Sequence, residues 1–255
     1  SGPSNGSAIP GVQCNGLEPC VGCVVTYTPN ALFSGPDQFT YRVMDDDGCW
    51  SEPAIVTVDV LDAPIAVDDV GFSCQGDPVT VDVLANDTDS DGVLDCGTLV
   101  ITTQPTGGTA QVLPQCNGLA PCAGCGVLYT PNANFSGSDS FGYQVLDEDG
   151  CTSNEGMVTI SVNANPITQP DAVSFCEGGS VNIDVLANDN DPDGALDCGT
   201  LEIVSPPANG IATVSGNCNG LEPCVGCSIS YVPGATFSGM DSFTYRVTDE
   251  AGCRS

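Results

Sequence analysis

One loop of the sequence carries carboxylates at alternate positions. In residues 81–99, VDVLANDTDSDGVLDCGTL, aspartates stand two apart, a glycine follows, and a further aspartate closes the run; residues 183–201 repeat the pattern. Calcium takes six to eight oxygen ligands, and alternate carboxylates in a turn converge on one point. The pattern therefore predicts calcium ligands, which are Asp87, Asp89, Asp91, Asp95, Asp189, Asp191, Asp193 and Asp197.

Two other interpretations of this loop have to be weighed. The spacing to the closing acid differs from that of an EF-hand, and no flanking segment has helical periodicity, so an EF-hand is excluded. Acidic turns can also be solvated and serve only solubility. Four like charges within nine residues repel one another unless a cation neutralises them, and this favours the metal.

Cysteine is the second residue type with chemistry to offer. The chain has 16 cysteines and no histidine, which points to disulfides formed in an oxidising compartment. Cys20 and Cys23 have the Cys-x-x-Cys spacing of redox or zinc sites. Neither a thioredoxin-like βαβ pattern nor a second ligand pair accompanies them, so structural disulfides are favoured.

Six cysteines in one repeat allow 15 pairings, so their connectivity is a hypothesis. Cys116 and Cys125 flank one loop between adjacent strands, and Cys96 and Cys151 lie at the same end of one predicted sheet. A single domain is too long for the remaining two cysteines to meet, which predicts a bridge between successive units. The expected pairs are Cys14–Cys23, Cys116–Cys125, Cys218–Cys227, Cys96–Cys151, Cys198–Cys253 and Cys74–Cys224.

These residues are positioned by a strict repeat. Every cysteine position recurs at an interval of 102 residues, without insertion or deletion, as expected of a tandem array. The predicted units are a partial repeat (1–62), a complete repeat (63–164) and a repeat lacking its last strand (165–255). Because the sequence starts and stops part-way through a repeat, we expect it to be one part of a longer array.

The complete unit has the pattern of an all-β domain. Val79, Val81 and Val83 alternate with polar residues, and Val158, Ile160 and Val162 do the same near its end. About seven such short strands, arranged in antiparallel order, predict a Greek-key sandwich of immunoglobulin type. The fold class is therefore all-β, in tandem Ig-like or cadherin-like sandwiches.

The strand order predicts a second acidic turn beside the first. If the strands run up and down, the turn after the sixth strand lies at the same end as the aspartate loop, where the preceding unit is met. Asp69 opens the first strand at that end. The further predicted calcium ligands are Asp69, Asp147, Asp149 and Asp249.

Two motifs carry a resemblance to a known family. VxVLANDxDxDG, followed by YTPNxxFSGxDxFxYxVxDxxG, resembles the bacterial immunoglobulin-like or cadherin-like tandem repeats of large secreted adhesins. The similarity covers the whole chain. It implies calcium placed at the junctions between units, and a role as spacer or stalk.

Composition narrows the function. A formal charge of −30 excludes nucleic acid, which needs a basic surface, and disfavours anionic membranes. No apolar run is long enough to span a membrane, and no catalytic His, Ser–His or Lys group is available, so no enzyme is expected. We expect an extracellular or cell-surface fibre or stalk whose partners are copies of itself or further repeats, with lateral bundling as one arrangement. The alternative is a ligand-binding adhesin, which needs a unit that differs from the others by an exposed aromatic residue or a loop insertion. No such unit stands out in this sequence, and a lone surface aromatic residue such as Trp50 usually has no binding role.

Overall fold

The structure, a computed structural model, describes residues 1–11 and 22–255. This part of the chain contains strands and turns and no helix, and therefore none able to cross a membrane. Its sixteen strands are β1 (Gly6–Pro10), β2 (Val25–Pro29), β3 (Gly35–Tyr41), β4 (Ala54–Val60), β5 (Asp69–Cys74), β6 (Val79–Val81), β7 (Leu94–Thr103), β8 (Gly108–Val112), β9 (Val127–Pro131), β10 (Gly137–Asp147), β11 (Gly156–Asn163), β12 (Val181–Ile183), β13 (Leu196–Ser205), β14 (Gly210–Gly216), β15 (Cys227–Pro233) and β16 (Thr244–Asp249).

The complete unit is a sandwich of two sheets. One sheet has the order β5-β11-β10-β7 and the other the order β6-β9-β8. Alternation along the strands directs Tyr129 of β9, Tyr143 of β10 and Ile160 of β11 into a common core, where all three are fully buried. The all-β Ig-like prediction is confirmed.

One pairing differs from the antiparallel order predicted. Strand β5 runs parallel to β11, with Asp69 opposite Val158 and Cys74 opposite Asn163. The reason is topological, because the first and seventh strands of an up-and-down succession run in the same direction. When they lie side by side they pair in parallel.

The two flanking units repeat parts of this sandwich. In the first unit β1 pairs with β2 and β3 with β4, at the positions of β8 to β11. In the last unit β12-β15-β14 form one sheet and β13-β16 another, around a second core. Residues 171–176, the counterparts of β5, form no strand and are exposed. The positions that would correspond to β11 lie beyond residue 255.

Candidate functional site

The acidic loop lies between β6 and β7 and is anchored by its first aspartate. Asp87 Oδ1 accepts hydrogen bonds from the backbone nitrogen of Val67 (2.8 Å) and the hydroxyl of Tyr143 (2.9 Å). Burial raises the pKa of the Asp87 carboxyl. In the last unit the hydroxyl of Tyr245 binds Asp189 Oδ2 in the same way (3.0 Å). The tyrosine on the core strand therefore fixes where the loop starts.

Asp69 lies beside this anchor. Burial raises the pKa of its carboxyl to about 6, and the negative charge of Asp87 acts in the same direction. Asp69 Oδ2 is shielded from solvent and has no hydrogen-bond partner. Two of the predicted ligands, Asp69 and Asp87, are thus brought together around Tyr143.

A second acidic group is centred on Asp89. Both of its carboxylate oxygens are shielded from solvent and lack a hydrogen-bond partner. Burial raises the pKa of Asp89, and the charges of Asp91, Asp147 and Glu148 raise it further. A carboxylate in such surroundings is costly unless a proton or a cation neutralises it.

The last unit repeats this group at the same positions. Both oxygens of Asp191 are again shielded and unpartnered. Burial raises its pKa to about 6, and the nearby charges of Asp193, Asp249 and Glu250 contribute. Two independent copies of the loop therefore present the same unsatisfied carboxylate.

Gly92 lies where the loop meets the acidic turn after β10 and leaves room for two carboxylates. A Cβ atom on Gly92 would lie 2.5 Å from Glu148 Oε1 and 2.7 Å from Asp89 Oδ2. The Glu148 carboxylate also accepts a hydrogen bond from the backbone nitrogen of Val93 (2.6 Å). A larger residue at position 92 would displace the end of one or both of these carboxylate side chains.

Other predicted ligands are engaged in their own turns. Asp95 Oδ1 accepts a hydrogen bond from Gly97 N (3.1 Å), and Asp197 does so from Gly199 N (3.0 Å). The side chain of Asp149 is exposed, whereas its backbone nitrogen donates to Asp147 Oδ1 (2.9 Å).

The fit of this group to a cation rests on its unpartnered oxygens. Within residues 1–11 and 22–255, no three Asp, Glu or Cys side chains are already arranged to hold one metal ion. The oxygens of Asp89 and Asp191 nevertheless lack donors. They are the hard anionic ligands that calcium prefers.

The loop faces the chain segment that enters its unit. The backbone nitrogen of Asp62 donates to Asp91 Oδ2 (3.0 Å), and that of Ala164 donates to Asp193 Oδ2 (2.9 Å). These are counterpart positions, so both junctions use the same contact. In the amide orientation that satisfies its side chain, Asn163 also donates to Asp249 Oδ2 (2.6 Å). The acidic groups therefore lie at the junction between successive units.

The family can now be stated from comparison with known proteins. A family model described as a bacterial Ig domain matches the chain three times, over residues 11–59, 61–161 and 163–255. The chain belongs to the bacterial Ig domain family. A search of curated proteins finds no match.

Solved structures with some likeness to these Ig units are distant. They include an endo-fucoidan hydrolase, MfFcnA4, of glycoside hydrolase family 107 (16% identity, 91% of this chain and 34% of that one, TM-score 0.30). Another is a mutated variant of titin domains I67–I69 (8% identity, 91% and 89%, TM-score 0.32). The chain spans about a third of the length of the fucoidan hydrolases that it matches. Scores this low support no functional argument.

Disulfides restrain the loop that precedes β9 in the complete Ig unit. Cys116 is bonded to Cys125, and Cys218 to Cys227 in the last unit, as expected from the sequence. Cys23 is also disulfide-bonded; Cys14, its expected partner, lies outside the described residues, as does Cys20.

The other expected pairs are corrected by the structure. Cys96 is bonded to Cys122 instead of Cys151, and Cys198 to Cys224 instead of Cys253. The reason is that the intervening loop folds back over the start of β7, where Ala120 N donates to Leu94 O (2.8 Å). This contact brings Cys122, the middle cysteine of the loop, next to Cys96 on the strand.

The bridge between Ig units therefore has a different partner from the one expected. Cys74, at the end of β5, is bonded to Cys253 of the last unit instead of Cys224, with a Cα–Cα distance of 5.5 Å. Cys224 is already used within its own unit, whereas Cys253 lies in the turn after β16, at the end that meets the preceding unit. Free thiols in the described residues are those of Cys49, Cys151 and Cys176.

A buried tyrosine–aspartate contact went unpredicted from the sequence. The Tyr129 hydroxyl donates to Asp139 Oδ2 (2.9 Å), which also accepts from Gly107 N (2.9 Å). Tyr231 and Asp241 repeat the contact, and hydrogen bonds to backbone nitrogens hold the pKa of Asp241 below its usual value despite some burial. The signal that could have found it is the constant ten-residue spacing of Tyr and Asp in the units.

Proposed function

We propose that this chain is a segment of an extracellular structural fibre or stalk. Its Ig units are held in line by calcium and by a disulfide at the junctions. The observation that carries the proposal is the pair of contacts from Asp62 N and Ala164 N to the acidic loop of the following unit. These contacts support a role for the candidate cation group in setting the angle between units.

Calcium would act first on the carboxylates of Asp89 and Asp191, which have no other partner, and on the acidic side chains around them. Asp89 with Asp91, Asp147 and Glu148 would hold it in the complete unit, and Asp191 with Asp193, Asp249 and Glu250 in the last. The ion supplies positive charge to mutually repelling carboxylates and so draws the loop and the turn together. Because the linker is bound to the same loop, a neutralised group would stiffen the junction.

The tandem organisation supports a mechanical role and gives no support to catalysis. Near-identical units at a fixed period build a uniform rod, in which each unit contacts only its neighbours. The disulfides and the family support an extracellular or surface location. Partners would be further repeats or copies of the chain, with lateral bundling as one arrangement.

The ligand-binding alternative rests on one aromatic residue. Trp50 is 54% exposed, and the Arg42 guanidinium lies 4.3 Å from its ring centroid. Its counterparts are Thr152 and Arg254. Trp50 therefore has a partner in its own unit and is not repeated in the others. For this reason the fibre remains our conclusion.

Titration with calcium tests the proposal. We expect the melting temperature to be higher in calcium than in chelator. The distribution of inter-unit angles, measured by small-angle scattering or electron microscopy, is expected to be narrower in calcium. Occupancy at 100 times the dissociation constant stabilises a fold by about 2.7 kcal/mol per site. The double variant Asp89→Asn, Asp191→Asn is expected to lose the response.

The matched control removes two aspartates that already have a partner. The double variant Asp95→Asn, Asp197→Asn is expected to keep the calcium response, because these side chains serve their own turns. If calcium changed neither melting nor angles in the unmodified chain, the calcium part of the proposal would be lost.

A further inference from the structure

One disulfide differs from the others because it crosses a junction. Cys74 and Cys253 belong to successive units and are 179 residues apart in sequence, whereas the four other described disulfides close loops of 9 or 26 residues. The bridge joins the end of β5 in one unit to the turn after β16 in the next. We call the first position the top cysteine and the second the base cysteine.

The free thiols are counterparts of these two cysteines. Cys176 stands 102 residues after Cys74 and is a top cysteine. Cys151 and Cys49 stand 102 and 204 residues before Cys253 and are base cysteines. The positions that would pair with them by the same spacing lie outside residues 1–255, so each free thiol of the described chain stands at the position of one half of such a bridge.

The base cysteines have the same local geometry whether free or bonded. The backbone nitrogen of Cys253 donates to Asp249 Oδ1 (2.8 Å). The corresponding donor in the free Cys151 binds Asp147 Oδ1 (2.8 Å), and Cys49 N binds Asp45 Oδ1 (2.7 Å). The turn that presents the thiol is therefore already formed before any bridge is made.

The top position of the last unit is open. In the complete unit, Gln75 N donates to Asn163 O (2.8 Å) beside the bonded Cys74, and the chain leaves from there into the next unit. In the last unit residues 171–176 are exposed and Cys176 is free. The counterparts of β11, against which β5 pairs in the complete unit, lie beyond residue 255.

We propose that the end of the last unit around Cys176 binds the base of another repeat unit and forms a disulfide with its base cysteine. The occupant is the base of a unit of this kind, in a second copy of the chain or in further repeats, because Cys253 already makes this bond to Cys74. The inference rests on the proposed array. It requires no calcium.

The bond forms by exchange with a low-molecular-weight disulfide such as oxidised glutathione. The thiolate of one cysteine attacks oxidised glutathione, which gives a mixed disulfide and releases one glutathione thiolate. The second cysteine thiolate attacks the protein sulfur of the mixed disulfide and releases the other glutathione. Two protein thiols are oxidised and one glutathione disulfide is reduced to two thiols, with the two protons passing to water or to glutathione.

Two complementary variants of the full chain test the pairing. The top variant, Cys49→Ser with Cys151→Ser, keeps Cys176 as the only free thiol of the described residues, and the base variant, Cys176→Ser, keeps only base thiols free there. Products joined through Cys14 or Cys20, which lie outside the described residues, are identified by peptide mapping and counted apart. Each is incubated alone, and the two are mixed, in a buffer of reduced and oxidised glutathione. Bonded products are measured by non-reducing mass spectrometry.

We expect the mixture to give top-to-base products in at least about tenfold excess over top-to-top and base-to-base products. In an equimolar mixture with one top thiol and two base thiols, random collision would give mixed products about four times as abundant as top-to-top products and about as abundant as base-to-base products. This result would overturn the proposal, as would the absence of mixed products. Peptide mapping must show that Cys74–Cys253 stays intact in both variants. Running the mixture with chelator separates the two proposals, since selective bonding without calcium supports this one even if calcium has no effect.

Discussion

At the scale of single residues, the informative feature is a carboxylate left without a donor. Asp87 and Asp189 have donors from a tyrosine and a backbone amide, so their charge is compensated within the fold. Asp89 and Asp191 lie two residues further along and have none. The difference separates an aspartate that fixes the loop from one that is available to an ion.

The raised pKa of Asp191 predicts how stability responds to pH in the absence of divalent ions. Its folded value, about 6, lies above the ordinary value of about 3.9 for an unfolded chain. The folded state therefore prefers the protonated form, and the destabilising contribution of the charge is complete above pH 6 and disappears towards pH 4. With chelator present, we expect urea unfolding to show greater stability at pH 5.5 than at pH 7.5.

Asp191→Asn is the variant that checks the assignment. The neutral amide is expected to raise stability at pH 7.5 and to reduce the response between pH 7.5 and 5.5, with Asp69, whose pKa is also raised to about 6, supplying part of the remainder. Asp184→Asn, at an exposed position, is expected to change neither. An unchanged pH response in Asp191→Asn would show that another group is responsible. Saturating calcium is expected to reverse the trend, because the ion competes with the proton.

At the scale of elements, the two disulfides of the loop before β9 act on different lengths of chain. Cys116–Cys125 closes a separation of 9 residues, whereas Cys96–Cys122 closes 26 and ties the loop to β7. On the chain-entropy account, the shorter bridge contributes about 2–3 kcal/mol and the longer about 3–4 kcal/mol.

We therefore expect Cys96→Ala with Cys122→Ala to lower the free energy of unfolding by on the order of 1 kcal/mol more than Cys116→Ala with Cys125→Ala. Burial of Cys96 in the core adds to the difference. Chemical unfolding of both double variants under oxidising conditions measures it. Equal losses would show that loop length is not the controlling factor.

The strands were predictable from sequence and the course of this loop was not. Alternating valines marked β6 and β11, because burial on one face of a sheet imposes a period of two. The course of the loop depends on backbone contacts such as Ala120 N to Leu94 O, which leave no such period. The pairings of Cys96 and Cys74 were consequently assigned wrongly, although the existence of a bridge between units was inferred.

The candidate site was also predictable only in part, because the spacing of residues in the sequence shows a pattern but not the contacts made in space. Alternate aspartates identified the loop, and the up-and-down strand order placed it at the end that receives the preceding unit. Which aspartate lacks a partner depends on where Tyr143 and the Val67 amide lie in space. Sequence spacing does not contain that information.

At the scale of the whole molecule, the second junction is held by two kinds of contact. The bridge from Cys74 to Cys253 holds one side, and the hydrogen bond from Ala164 N to Asp193 holds the linker. Each contact restricts the relative motion of the two units and so lowers the entropy cost of forming the other contact. Their effects on the junction should therefore depend on one another.

A double-mutant cycle on Cys74→Ala and Asp193→Ala measures this dependence. We expect the loss of Asp193 to cost less when the disulfide is absent, because the hydrogen bond is then weaker, with a coupling of about 0.5–3 kcal/mol in the free energy of unfolding of the last unit. The spread of angles at this junction, measured by electron microscopy, should widen most in the double variant.

The first junction provides the control within the same molecule. Asp91 makes the equivalent contact with Asp62 N, but Cys151 on that side is free in the described chain. Asp91→Ala is therefore expected to be additive with Cys74→Ala, within about 0.5 kcal/mol. Equal coupling at both junctions would show that the disulfide acts through the fold of the complete unit and not through the junction it crosses. Coupling confined to the second junction would mean that stiffness is set one junction at a time, as a fibre of independent joints requires.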